Sequence, residues 1–203
     1  AGVVGEMLTE LFCVHCEELR ARREQMMRLA VSFGQGLQMT NILKDIWEDR
    51  QTETCWLPRS VFINREFEFE LERLEAHREG EAFRHGLLEL IGITHGHLRE
   101  AFDYLRMIPI RELGIRRFCF WALGLALLTL RNIHANPAFT SGDQVKVSRK
   151  TLRAALMASQ LLMGTNRGLG VLFALASSGL PLAGAAAAPA LAGRRDGVDV
   201  SRL

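Results

Sequence analysis

GLQMTNILKDIWED, residues 36 to 49, reads as one amphipathic helix with an unusual polar stripe. Gln38, Asn41, Asp45 and Asp49 follow one another at spacings of three, four and four. On a helix this puts all four side chains on one face. Leu37, Met39, Ile42 and Leu43 surround the two carboxamides, and polar amides in such company need partners. Two carboxylates and two carboxamides make a strip of oxygen donors. That donor set suits a hard cation such as Mg2+, and through it a diphosphate. Diphosphate is a good leaving group only when its charge is neutralised, which a bound cation does as Lewis acid and template. A carboxylate-bearing helix facing an apolar cavity would hold metal and diphosphate at the mouth, and the cavity would shield a carbocation from water. An ordinary exposed acidic face has the same spacing, and spacing alone leaves both readings open.

Outward from the stripe, helical periodicity continues nearly throughout and no persuasive strand appears. Residues 1 to 17 read as the end of a helix, and 22 to 50 as one long helix carrying the stripe. Gly34 and Gly36 fall inside it, where they lower helix propensity but let a ligand or another helix come close. Pro58 breaks the pattern, and residues 58 to 62 are expected to form one short turn. Residues 68 to 107 form a second long amphipathic pattern, whose charged opening reads as a solvated face. His77, His85, His95 and His97 are scattered there. A two-residue offset splays His95 from His97, so they read as surface or satisfied core histidines rather than ligands. Pro109 opens a helix to about Asn132. Its middle, FCFWALGLALLTL, is apolar all round and is expected to be buried. Thirteen residues are too few for a membrane span. Residues 136 to 143 form a loop, and VKVSR (145 to 149) leads into a final helix with Ser148 as N-cap. The fold class expected is all-α.

Composition narrows the function. The 203 residues are 48% hydrophobic and 24% charged, ordinary for a globular domain with a sizeable core. A net charge of +2, without a basic stripe, sets nucleic acid aside. Cys13 and Cys16 form a C-x-x-C within a helix. No second pair accompanies it for zinc, and no strand precedes it for a redox motif. The cysteines therefore read as packed thiols in a reducing, cytoplasmic setting. The chain opens inside an apolar helical pattern, AGVVGEMLTELF, so an incomplete N-terminus is expected. Residues 1–165 read as one domain and 166–203 as an Ala/Gly-rich tail, flexible or membrane-associated. Gly168 to Gly193 lacks any charge, long enough to span, but Ala, Gly and two prolines weaken its drive to insert. Localisation is accordingly cytoplasmic, or peripheral to or anchored in a membrane through that tail.

Several separated motifs then resemble one family in its own order. GLQMTNILKDIWEDRQTETCWLPRSVF resembles the second aspartate-rich region of squalene and phytoene synthases. AGVVG resembles the helix just before it. FCFWALGLALLTL followed by VKVSR resembles the region nearer the C-terminus, most closely in squalene synthases, with a bacterial enzyme the nearest type. The resemblance covers residues 1 to 165. It implies an all-α isoprenoid synthase-type bundle that condenses two prenyl diphosphates head to head through a cyclopropylcarbinyl diphosphate. In squalene synthases NADPH then delivers hydride. It further implies that Asn41, Asp45 and Asp49 bind Mg2+, with Asp45 and Asp49 catalytic, and that Gln38 faces the substrate. Gly2, Val4, Gly5, Leu37, Phe118 and Cys119 would line the prenyl channel. Lys146 and Arg149 would contact cofactor or diphosphate, with plain surface charge the competing reading.

Two departures qualify what is expected. The family's earlier aspartate-rich motif has no counterpart among Asp103, Asp143, Asp196 and Asp199. Half a metal clamp should bind diphosphate weakly and turn over poorly, so the chain is expected to be an inactive C-terminal portion. The family's Gly-Arg after the motif is replaced by Glu53-Thr54, though Trp56 keeps an aromatic before Leu57-Pro58. Three functions remain in view: a squalene synthase using farnesyl diphosphate and NADPH, a dehydrosqualene or phytoene synthase without NADPH, and a non-catalytic helical interaction protein.

Overall fold

The computed structural model describes residues 1–62, 80–162 and 164–182, and these are helical with no strand among them. Helix α1 (Gly2–His15) and the short α2 (Glu17–Arg20) lead into α3 (Arg23–Lys44), which runs on into α4 (Ile46–Gln51). After α5 (Arg59–Phe62) come α6 (Glu81–Met107) and α7 (Leu113–Ala135). A 3-10 turn (Gly142–Gln144), α8 (Arg149–Leu162) and α9 (Asn166–Ser177) complete the order. The expected solvated opening of the second long pattern, with His77, lies outside the described residues.

Helix α3 is the hub, packed against α1, α6 and α7. Helix α6 earns its central place by pattern. Phe83, Leu87, Leu90, Ile91, Leu98, Ala101 and Leu105 recur at helical spacing and are buried. Each large apolar side chain removed from water there stabilises by about 1.5–3 kcal/mol. The helix stops at Ile108, whose extended backbone (φ −70, ψ 124) is what a residue before proline prefers. Close helix approach comes from glycine. A Cβ on Gly36 would lie 2.9 Å from Leu98 Cδ2, and one on Gly5 would lie 2.3 Å from the Ala30 carbonyl oxygen. Gly5 of α1 and Gly36 of α3 thus admit neighbouring helices.

Three expectations are revised. The long helix over 22 to 50 is two helices that break at Asp45 (φ −98, ψ 15). The Asp45 carboxylate pairs there with Lys44 Nζ at 2.9 Å. The helix from Pro109 begins only at Leu113. Its apolar middle is not buried all round: Phe118, Trp121 and Leu125 are exposed on one face, while Cys119, Leu123, Ala126, Leu127 and Leu130 are buried on the other. By length and composition alone, α7 is long and apolar enough to cross a membrane. In this fold its buried face packs on α3, α6 and α9. Ser148 does cap α8, accepting the Thr151 N–H at 3.1 Å.

The segment assigned to the tail from 166 onward begins with α9. Leu169 is fully buried and Phe173 stacks on Phe102 of α6 at 4.4 Å between centroids. Residues 183–203 lie outside the described part. Thr165 caps α9 by accepting the Gly168 N–H at 2.9 Å. Thr165→Ala is expected to lower stability by about 1 kcal/mol, read from the denaturant midpoint. Arg116 ties this end of the bundle together. Fully buried in α7, it donates to the Ile108 carbonyl and to Asn166 Oδ1, so it joins the end of α6 to the start of α9.

His95 fixes the chain after α9. Its Nδ1 lies 2.8 Å from the Pro181 carbonyl oxygen, so Nδ1 carries the proton. Burial, with the nearby Arg99 charge, pushes its pKa below the usual histidine range, although the Pro181 carbonyl opposes that; burial lowers His97 too. The unfolded chain therefore binds protons more readily than the folded one. Stability is complete above about pH 6.5 and declines as pH falls through the depressed folded values. Thermal melts across that window should show the decline, and His95→Asn should reduce it, leaving the part that His97 contributes. A melt independent of pH there would refute the assignment.

Candidate functional site

A cavity of about 250 Å³ opens between α1, α3, α6 and α7. Its wall is almost wholly apolar. Val4, Gly5 and Phe12 come from α1, Phe33 and Leu37 from α3, Tyr104 from α6, and Phe118 and Cys119 from α7. The aromatic rings meet edge to face, Phe12 on Phe118 at 6.4 Å and Phe33 on Tyr104 at 5.5 Å. Burial pushes the Cys119 thiol up to about 12, so at neutral pH it is an apolar lining group and not a nucleophile. Gln38 and Asn41 supply polar side chains to the wall, and both are exposed. They mark the mouth.

The stripe continues from that mouth. The Asp45 N–H bonds the Asn41 carbonyl and the Asp49 N–H bonds the Asp45 carbonyl, each at 2.9 Å. The helical hydrogen-bond ladder therefore runs through the break, and Asn41, Asp45 and Asp49 remain successive turns of one path. Asp45 and Asp49 are partly exposed and stand outside the cavity wall. Asp49 faces a narrow crevice with Ile42, Trp56 and Leu57. Of the expected channel residues, Val4, Gly5, Leu37, Phe118 and Cys119 come together at the cavity. Gly2 does not line it and packs on Val31 instead.

The 3-10 turn adds residues that the sequence pattern passed over. Glu48 Oε1 accepts the Gly142 N–H at 2.7 Å, and its Oε2 is buried without a hydrogen-bond partner. A Cβ on Gly142 would lie 3.2 Å from Asp45 Oδ1 and 3.1 Å from the Lys44 carbonyl, so only glycine fits this approach without displacement. Asn132 donates from Nδ2 to the Val145 and Lys146 carbonyls at 3.0 and 3.2 Å, fixing the strand of chain that bears Lys146. Lys146 pairs with Asp143, which raises its pKa, and Asp45 and Glu48 add to the same effect. Lys146 thus sits in the field of the stripe. Arg149 is exposed at the start of α8 and not part of the cavity wall. Glu48 reads in sequence as one more surface acid between Trp47 and Asp49. Its partner is 94 residues away, beyond the reach of local spacing.

The donor chemistry fits a hard cation: one carboxamide and two carboxylates on successive turns, with a buried orphan oxygen of Glu48 behind them. It fits as one side of a site only. Among the described residues no group of three or more His, Cys, Asp or Glu side chains converges to hold a metal.

An all-α bundle around an apolar cavity, with an oxygen-rich helix face leading from its mouth, defines an isoprenoid synthase-type fold. More narrowly, the chain belongs to the squalene/phytoene synthase family, whose model matches residues 1–151. Squalene synthase ERG9 of Gibberella zeae is 30% identical over 156 residues, covering 72% of this chain and 32% of that protein. Squalene synthase ERG9 of Candida albicans is 28% identical over 165 residues, 81% of this chain and 36% of that protein. A phytoene synthase of Thermus thermophilus is 31% identical over 128 residues, 57% of this chain and 40% of that protein. The chain therefore spans about a third of the length of the curated relatives it matches.

Proposed function

We propose that the protein takes part in squalene formation, as the C-terminal portion of an enzyme that joins two farnesyl diphosphates head to head. The reaction would pass through presqualene diphosphate and end with reduction by NADPH. One observation carries the reading: the helix face bearing Asn41, Asp45 and Asp49 begins at the mouth of an apolar cavity. Asn41, Asp45 and Asp49 would hold Mg2+, and Gln38 would orient the substrate head. When bound, Mg2+ neutralises the diphosphate charge and so eases its departure. The cavity wall accepts the prenyl chain and keeps water from a cation developing within it. Lys146, already in the field of Asp45 and Glu48, would face the diphosphate or NADPH, with Arg149 three residues further on. The chain alone is expected to turn over poorly, because ionisation is assisted best when charge is neutralised from both sides. Membrane association through the tail would rest on its residues 183–203, which lie outside the described residues.

A second reading changes only the product. The likeness to a protein named phytoene synthase supports dehydrosqualene or phytoene formation without NADPH. Hydrocarbon products from farnesyl diphosphate and Mg2+, with and without NADPH, separate the two. Squalene formed only with NADPH supports the first; the same unreduced product under both conditions supports the second. Failure of the chain to bind farnesyl diphosphate in the presence of Mg2+ would count against both.

A further inference from the structure

Tyr104 is the single tyrosine of the chain and it lines the cavity. It is 3% exposed, and its hydroxyl lies 2.8 Å from Thr9 Oγ1, a residue that is fully buried and outside the cavity wall. Thr9 Oγ1 in turn donates to the Gly5 carbonyl at 2.8 Å. A threonine hydroxyl has one proton to give. That proton goes to Gly5, so in the Tyr104–Thr9 bond the phenol must be the donor. The direction of the whole relay is therefore fixed: Tyr104 gives to Thr9, and Thr9 gives to Gly5. Its consequence falls on the cavity. The ring of Tyr104 forms wall, edge to face with Phe33, while its one proton is committed away from the cavity.

We propose that Thr9 is a positioning residue for this cavity: it holds Tyr104 as an apolar wall and withholds the phenol proton from whatever chain is bound. The ligand class is the prenyl chain, so this step rests on the reading given under the proposed function. A free phenol O–H in the wall would recruit water or offer a proton to an alkene or departing group. With Thr9 in place neither is available. Burial also pushes the phenol pKa above its ordinary value, in keeping with a proton that stays on oxygen.

Because Tyr104 has no other tyrosine to mask it, its Raman doublet reads directly whether the phenol donates or accepts. The 203-residue chain should show a donor phenol. Thr9→Ser, which keeps the hydroxyl, should show the same. Thr9→Val should lose the donor signature and bind farnesol, the uncharged probe used here for the cavity alone, about tenfold more weakly, the worth of one buried hydrogen bond. Thr9→Ser should restore the affinity. Thr9→Val also costs stability by leaving a buried phenol unpaired. Adding Tyr104→Phe to it should return most of the lost melting temperature, which keeps the relay testable if Thr9→Val alone folds poorly. An acceptor signature in the wild-type chain overturns the proposal, as does a Thr9→Val variant with wild-type signature and affinity. A wild-type chain with the donor signature that binds no farnesol supports the relay and overturns the prenyl reading of the cavity instead.

Discussion

Asp45→Ala is expected to weaken the proposed Mg2+-dependent binding of farnesyl diphosphate by about 100-fold or more and to leave the fold intact. This outcome is expected from two separate features of the position. As a proposed ligand, Asp45 would be central: it lies a turn beyond Asn41 and a turn before Asp49, tied to both through the backbone ladder. Losing an outer-shell partner of a metal ligand already costs roughly 10- to 100-fold in metal affinity, and losing a carboxylate ligand itself should cost at least as much. As a structural element, Asp45 does little. Its side chain is 37% exposed and its pairing with Lys44 is a partly solvated one, worth about 1 kcal/mol or less. The helix already breaks there, so alanine does not remove a cap on which α4 depends. Titration calorimetry with and without Mg2+, together with a thermal melt, separates the two effects. Asp45→Asn keeps the oxygen donor and loses the charge, and should fall between wild type and alanine. Binding by Asp45→Ala equal to wild type would remove Asp45 from the metal assignment. A large loss of melting temperature would place its role in folding instead.

What could be read in the sequence followed the range of the interactions involved. The stripe from Gln38 to Asp49 and the buried face of α6 are local patterns, set by spacings of three and four along one helix. Both helices and their apolar faces were legible for that reason. The break at Asp45 was not, because the spacing of the stripe survives it: the ladder bonds continue while the dihedral angles change. The exposed face of α7 escaped for a different reason. Phe118, Trp121 and Leu125 are apolar like their neighbours, so hydropathy alone could not say which face finds a partner. Hydropathy also hid α9, since an Ala/Gly-rich segment looks like a linker until Leu169 and Phe173 are seen against the bundle. The long-range links Glu48–Gly142, Tyr104–Thr9 and His95–Pro181 join residues 94, 95 and 86 positions apart. No window of one sequence contains them.

The glycines make the same point about backbone, and yield the second large effect. Gly5→Ala is expected to cost about 2–4 kcal/mol and to disrupt the cavity, although it adds only a methyl group and improves helix propensity. The methyl would lie 2.3 Å from the Ala30 carbonyl oxygen and 3.0 Å from its carbonyl carbon. Both obstacles are backbone atoms of α3, so no rotamer change can relieve the overlap. Helix α1 must lift away. Gly5 lines the cavity, and its carbonyl ends the relay from Tyr104, so the displacement reaches the wall directly. Gly124 is the control. It lies within α7, and a Cβ there meets nothing within 4 Å. Gly124→Ala should therefore stabilise the protein by up to about 1 kcal/mol, through backbone entropy alone. The same chemical change then has opposite signs at two helical glycines, and contact with a neighbouring backbone decides which. Denaturant unfolding of both variants measures the signs, and farnesol binding reports the cavity. If Gly5→Ala is as stable as wild type and binds equally well, α1 does not lie against α3 at this distance, and the cavity between them has a different wall.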